Sequence, residues 1–385
     1  MAAADGLSAR RKIRVLYVLD GFPDPHAGTE NQFWLLFRKL DRSRFEPAIT
    51  LLKSSEFLQA HVTDAPLETL GVVRLRSPRS LWRVFAAALR ARTRGFDVVH
   101  LFFNDVSLVF PPLFSLFGIP VIVSRRDLGF WYTPGNLRLL RINARLAAAV
   151  VANCEAVRDA VIGAEHYDPR KVRVIYNGIG RDPSAAHRDV RTELAVSADA
   201  RLIIIVANLR PLKRIDDAVR ALAVIGYGLE SAHLVVAGED RVDEAGRSVR
   251  AQLETLAAQL NVHDRLHFLG KIADPLPVIR AADVCVLCSE TEGLSNTVIE
   301  YMLAGKAAVC TRVGGNSELV IEGSTGHLVP VGDVQALARA VSGLLRDPAR
   351  ARVYGEAARQ RALELFLPET MVGHHEALYS ELAGR

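Results

Sequence analysis

The chain has 385 residues, half of them apolar and 24% charged, with 48 Lys and Arg against 43 Asp and Glu and a formal net charge of +5. That is ample material for two domain-sized cores. The charge is mild and no recognised nucleic-acid-binding motif accompanies it, so nucleic acid is not expected as a partner.

Residues 1–12 are small and polar, then basic. They lack the apolar centre of a signal peptide, so export is not expected. Short apolar runs then alternate with helical patterns. The runs predict strands at 13–19, 47–52, 72–75, 98–102, 121–124, 149–152 and 172–176. Their continuous Val/Ile/Leu character marks strands buried on both faces of a parallel sheet. Between Glu68 and Asp97 the chain has no acid but carries Arg74, Arg76, Arg79, Arg83, Arg90, Arg92 and Arg94. Two readings stand for this stretch. One is a solvated arginine-rich helix face. The other is a surface for anionic lipid or a phosphate-bearing acceptor, with Leu81, Trp82, Val84, Phe85 and Leu89 supplying its apolar side. The apolar stretch 108–123 holds Pro111, Pro112, Gly118 and Pro120 and is too short and broken to span a membrane.

The pattern breaks at Tyr176-Asn177-Gly178-Ile179-Gly180. The polar stretch that follows, to Ala200, carries Pro183 and reads as an interdomain linker. A second series of strands is expected at 202–207, 234–237, 266–269, 284–288, 308–311 and 327–329. Two alternating series in succession predict an α/β protein with two Rossmann-like, doubly wound parallel-sheet domains. The expected bounds are 1–182 and 183–367. A final helix within 368–385 is expected to pack back toward the first domain through Met371, Val372, Leu378, Tyr379 and Leu382. Ligands of such sheets sit beyond the carboxyl ends of the strands, which places the expected site between the domains. The four cysteines, Cys154, Cys285, Cys288 and Cys310, lie in apolar segments. Cys285 and Cys288 point to opposite faces of a strand and no second pair completes a zinc set. Buried thiols in a reduced, cytoplasmic protein are the expectation.

The most informative stretch runs from Ser289 to Glu300, Ser-Glu-Thr-Glu-Gly-Leu-Ser-Asn-Thr-Val-Ile-Glu. A buried strand, a polar loop with a glycine and a helix N-terminus make a place where backbone N–H groups meet an anion. Glu292 and Glu300 frame it. Carboxylates repel phosphate but accept hydrogen bonds from hydroxyls, so the pattern suggests a ligand with both, a nucleotide sugar.

Several segments together resemble family 4 glycosyltransferases. Glu292-x7-Glu300, continuing into Tyr301-Met302-Leu303-Ala304-Gly305-Lys306, is similar to the family signature. Ala27-Gly28-Thr29-Glu30 is similar to its glycine-rich N-terminal loop. Asp97-Val98-Val99-His100, Val174-Ile175-Tyr176-Asn177-Gly178-Ile179, Val206-Ala207-Asn208-Leu209-Arg210-Pro211-Leu212-Lys213, Val235-Val236-Ala237-Gly238-Glu239-Asp240, Phe268-Leu269-Gly270 and Gly314-Gly315-Asn316-Ser317-Glu318 follow in the family's order. The resemblance covers nearly the whole chain. It implies the GT-B architecture, two Rossmann-like domains facing across a cleft, and sugar transfer from a nucleotide-diphosphate sugar with retention at the anomeric carbon. No metal and no resident cofactor are implied.

The same resemblance implies roles. Glu300 would hold the ribose and Glu292 the hydroxyls of the transferred sugar. The backbone of Gly293, Leu294, Ser295, Asn296 and Thr297 would hold the diphosphate, which Lys213 would neutralise. Gly270 and its neighbours would contact the base, Arg210 would join Lys213 at the diphosphate, Gly238 and Asn208 would belong to the same donor site, and Gly28 is either a turn glycine or an acceptor or phosphate contact. In many members the loop after the fifth strand carries a histidine near the reacting sugar. Here it reads Ser124-Arg125-Arg126-Asp127, with Arg126 in that slot. The arginine that often precedes the diphosphate lysine by five positions is Asn208, with Arg210 nearby. The implied partners are a nucleotide-sugar donor and a glycan or lipid-linked acceptor, in cell-surface polysaccharide or glycolipid synthesis. The implied location is the cytoplasm, with peripheral contact to the anionic inner face of the plasma membrane. Epimerisation or phosphorolysis by a GT-B relative is the alternative among enzymes. A sugar-nucleotide-binding protein without turnover is the alternative outside them. A dehydrogenase is disfavoured, because no G-x-G-x-x-G follows the first strand of either half.

Overall fold

A computed structural model describes residues 11–384, apart from 24, 26, 27, 73, 76, 181–187, 226 and 227. Ala27, Arg76, Pro183 and residues 1–10, which carry parts of the expectations above, lie outside the described residues. The chain forms two compact units. One takes in Met1–Asn153, Arg158–Gly178 and Pro368–Arg385, the other Cys154–Val157 and Ile179–Leu367.

The first unit is built on seven parallel strands: β1 (Ile13–Leu19), β2 (Phe45–Leu51), β3 (Leu67–Thr69), β4 (Val98–Phe102), β5 (Val121–Arg125), β6 (Ala149–Ala152) and β7 (Val172–Val174). Their order is β3-β2-β1-β4-β5-β6-β7. Tyr17 on the central strand sits opposite Ile49 of β2 and His100 of β4. Of the strand expected at 72–75, Val73 lies outside the described residues, and the described residues 72, 74 and 75 are not in a strand. The edge strand is instead Leu67–Thr69, three half-exposed or exposed residues beside Ile49–Leu51. Its period is too short and too polar to stand out, and the apolar run after it supplies plugs such as Val72, whose N–H bonds to Leu52 O at 2.8 Å.

The helix Pro368–Leu382 belongs to this first unit. Met371, Val372, Leu378 and Tyr379 lie in the same core cluster as β1 and the helix Gly28–Lys39. At about 1.5–3 kcal/mol per buried side chain, these four contribute roughly 6–12 kcal/mol before ordering entropy is charged. That is comparable with the whole net stability of a domain, so the helix is integral to the unit.

The second unit carries β8 (Arg201–Val206), β9 (Ala232–Ala237), β10 (Leu266–Gly270), β11 (Val284–Leu287), β12 (Ala308–Thr311) and β13 (Gly326–Val329). All pair in parallel, in the order β10-β9-β8-β11-β12-β13. The expected linker ends earlier than its polar composition suggested. Val190 is buried in the short helix Val190–Glu193, and Arg191 bonds to Asp283 at 2.8 Å and to Ala200 O at 3.1 Å. This polar stretch is folded by ion pairs, which leave no hydrophobic periodicity in the sequence.

Candidate active site

In the second unit the strand order reverses between β8 and β11, the switch point at which open α/β sheets open a crevice at the strands' carboxyl ends. The residues singled out in the sequence for the donor, Gly28 apart, lie in this unit, whereas Gly28 and Arg126 lie in the first. After β8 the chain makes a 3₁₀ turn, Pro211–Lys213, that lifts Lys213 toward the loop after β11. Glu290 N–H bonds to Leu212 O at 2.9 Å and joins the two loops. Lys213 Nζ then meets Glu292 Oε1 at 2.5 Å, with both side chains largely buried.

The Glu292 loop is held from below by the turn after β12. Gly315 N–H donates to Gly293 O at 2.8 Å, and Thr311 Oγ1 donates to Ser289 O at 2.6 Å. Ser295 caps the helix Asn296–Leu303, its hydroxyl accepting from Val298 N–H. Glu300 lies within this helix and is buried, 6% exposed. Its neighbour Tyr301 fixes the helix to the sheet. The phenol accepts from Val206 N–H at 2.9 Å and donates to Val286 O at 3.2 Å, across the β8–β11 junction.

Gly238 directly follows β9, at a place where a β-carbon would overlap the Ala207 carbonyl. The close strand crossing therefore requires glycine, and Gly238 N–H bonds to Gly270 O at 2.9 Å. Asn208 accepts from Glu239 N–H at 3.0 Å, so its side chain shapes the loop after β9. Arg210 is exposed beside Lys213.

The first unit has its own switch point, between β1 and β4. There Asp20 accepts from Asp105 N–H at 2.9 Å and Val106 N–H at 2.7 Å, capping the helix Asn104–Leu116. Burial pushes its carboxyl up to about 7, against the opposing pull of these hydrogen bonds. Phe103, just before that helix, takes φ 77° and ψ 178°, a region that strains any residue but glycine. Gly28 starts the helix Gly28–Lys39, and Gln32 on that helix holds Gly178 by both its N–H (2.9 Å) and its carbonyl (2.8 Å).

Arg126 is the first residue beyond β5. Its Nη1 donates to Asn177 Oδ1 at 2.7 Å, its guanidinium lies 5.7 Å from the Phe102 ring centre, and its buried Nε has no partner. Burial draws its pKa down to about 10. Close by, His100 on β4 is bonded through both ring nitrogens, to Tyr379 Oη at 2.8 Å and Ser124 Oγ at 2.9 Å. Burial holds this imidazole neutral, well below the usual histidine range.

Several of these groups were not anticipated from sequence. Asp20 follows an apolar run and Tyr301 was quoted only as part of a longer motif, with nothing local to mark either side chain. Arg125 was read together with Arg126, although period-2 geometry already sends the two to opposite faces. Arg125 makes a buried bidentate pair with Glu165, at 2.7 and 2.9 Å, and Tyr132 Oη donates to the same carboxylate. Glu165 closes a one-turn π-helix, Val161–Glu165, a form enriched at functional positions. The four cysteines are free thiols and buried. Two cavities, of about 380 Å³ beside Arg188 and Lys306 and about 470 Å³ between Thr50, Glu68 and Arg90, lie away from all of these residues.

Comparison with known proteins agrees with this layout. The family described as glycosyltransferase family 4 matches residues 26–182, and that described as glycosyl transferases group 1 matches 187–361. The chain belongs to the family 4, group 1 glycosyltransferases. It is 31% identical to the N-acetyl-alpha-D-glucosaminyl L-malate synthase of Bacillus anthracis, over 59% of this chain and 59% of that enzyme's length. It is 28% identical to D-inositol 3-phosphate glycosyltransferase 2 of Catenulispora acidiphila, over 85% and 81% of the two chains. Anabaena HepE, solved in complex with UDP, shares the fold with a TM-score of 0.83 at 22% identity, over 96% of this chain and 100% of that one. The likeness is one of fold, and each unit is a parallel-sheet α/β unit of the GT-B type.

Proposed function

We propose that the protein transfers a sugar from a nucleoside diphosphate sugar to a hydroxyl of a glycan or lipid-linked acceptor, with retention at the anomeric carbon. The observation that carries this reading is the Lys213–Glu292 pair across the β8–β11 switch point. Without ligand, each charge neutralises the other. A donor exchanges that pair for two better matches: the diphosphate takes the ammonium, and the released carboxylate accepts hydrogen bonds from sugar hydroxyls. Glu300, buried on the adjoining helix, accepts from the ribose, and the backbone at 293–297 adds N–H groups and the helix dipole.

In the reaction the bond from the anomeric carbon to the diphosphate oxygen breaks, and negative charge builds on the leaving group. Lys213 and Arg210 stabilise that charge as it develops. The acceptor oxygen bonds to the anomeric carbon on the same face, and its proton passes to the departing phosphate oxygen. No protein nucleophile and no resident metal are needed on this route. Both relatives named above are glycosyltransferases, which supports the reaction class. The first unit would handle the acceptor, its arginine-rich helix Pro78–Thr93 resting on an anionic membrane.

Lys213→Ala and Glu300→Ala are each expected to lower turnover at least ~100-fold, the scale of one lost transition-state contact. Nucleoside diphosphate release measured with and without acceptor gives this number. Near-normal transfer by a folded Lys213→Ala protein would refute the assignment. Product formation from donor alone, or only with added phosphate, would replace transfer by epimerisation or phosphorolysis.

A further inference from the structure

Arg126 is a cation without a counter-charge. Its one donor bond goes to the neutral Asn177 amide, its Nε–H is buried without an acceptor, and among the described residues no carboxylate pairs with it. Two acids carried by the same part of the fold are already engaged. Glu165 is taken by Arg125 and Tyr132, and Asp127 accepts from Gly129 N–H at 2.7 Å and Trp131 Nε1 at 3.1 Å. The histidines around it, His100 and His375, are buried and uncharged, and Arg126 itself helps to keep them so. Leaving a guanidinium half-desolvated and unpaired is costly, and such a group persists where an anion completes it.

Its setting is rigid. The Arg125–Glu165–Tyr132 cluster anchors both ends of the turn that starts at Arg126, and Arg125 lies 5.7 Å from the Trp131 ring centre. A guanidinium fixed at the carboxyl end of a parallel sheet presents a planar fork that matches an oxyanion.

We propose that Arg126 is the receptor for an oxyanion, a phosphate or a carboxylate, carried by the acceptor. This rests on the sugar-transfer reading and narrows it: the acceptor is an acidic molecule, and its anionic group anchors it while a hydroxyl reacts. An acceptor with hydroxyls alone leaves the guanidinium uncompensated.

The test titrates inorganic phosphate, malonate and, as neutral control, glycerol into the full chain by calorimetry. It is run in a Lys213→Ala background so that the diphosphate lysine does not contribute. Phosphate or malonate is expected to bind, and the tighter of the two identifies the class. Adding Arg126→Gln is expected to weaken binding roughly 10- to 100-fold, the range of a charge-assisted hydrogen-bond pair. Arg126→Lys keeps the charge, controls for folding and should restore part of the affinity. Equal affinity with and without Arg126→Gln, or no anion binding in the Lys213→Ala protein, overturns the proposal. The parent reading fails differently: anion binding through Arg126 in a wild-type protein that consumes no nucleoside diphosphate sugar refutes sugar transfer and leaves the anion site standing.

Discussion

At Gly314 a β-carbon would overlap the carbonyl of Glu292, and the backbone there has φ +48°, so a side chain is excluded twice over. The Gly-Gly turn is therefore the floor on which the Glu292 loop rests, and its effect on ligands is indirect. Gly314→Ala is expected to leave β12 and its neighbours folded but push the Glu292–Gly293 backbone away from Lys213. Donor affinity should drop by tenfold or more, at a stability cost of about 1–3 kcal/mol. Calorimetric titration with the donor, beside a thermal melt, separates the two effects, and unchanged donor affinity would show that the floor does not matter.

His375 gives a second prediction at this scale. Its Nδ1–H donates to Met371 O at 2.8 Å, its Nε2 is buried without a partner, and burial first, then Arg126, holds its pKa down to about 3. The folded value lies below the unfolded one, so the unfolded chain binds more protons between about pH 6.5 and 3. Stability therefore falls as pH drops through that window. From pH 7 to pH 4 the loss from this group is about 3 kcal/mol. All three tryptophans, Trp34, Trp82 and Trp131, sit in the first unit, so their fluorescence during urea unfolding reports it alone. His375→Gln should flatten the pH dependence, and an unaltered slope would remove His375 as its source.

Among the elements, the helix Pro78–Thr93 divides its arginines between two jobs. Arg83 donates to Leu70 O at 3.0 Å and Arg90 pairs with Glu68 at 2.5 Å, which ties the helix to the β3 edge. Arg79 and Arg92 are exposed, as are Leu81 and Trp82, the last at 67%. Trp82 stacks on Phe85, and Phe85 packs on Phe117, so the aromatic group is braced and stands out from the unit. Arg83 and Arg90 therefore serve the fold, and Arg79, Arg92, Leu81 and Trp82 make up the exposed face of the helix. Among the described residues no helix is long and apolar enough to cross a membrane. If this face rests on one, the protein should co-sediment with vesicles containing anionic lipid at low salt, and Trp82→Asp should release it. Equal partition to neutral vesicles, or no partition, would argue for a merely solvated face.

Strands such as β1 and β4 were legible because almost every position is buried, so their apolar runs are unbroken. The short edge strand β3 and the ion-paired segment near Val190 were not, since neither leaves a periodic signal.

For the molecule as a whole, order along the chain carried the family and the two-sheet plan, because a parallel α/β unit repeats its pattern with each crossover. What the sequence could not supply was pairing at a distance. Lys213 and Glu292 are 79 positions apart, and His100 and Tyr379 are 279 apart. Each residue was visible alone, but the Lys213–Glu292 ion pair and the helix-bound histidine exist only once each sheet has formed. The central claim, that the second unit takes a nucleoside diphosphate sugar through Lys213, is tested most directly by thermal shift with a panel of such sugars on wild-type and Lys213→Ala protein. The account predicts that at least one raises the wild-type melting temperature and that this shift is largely lost in Lys213→Ala. A panel without effect on wild type, or an equal shift in both proteins, would contradict it.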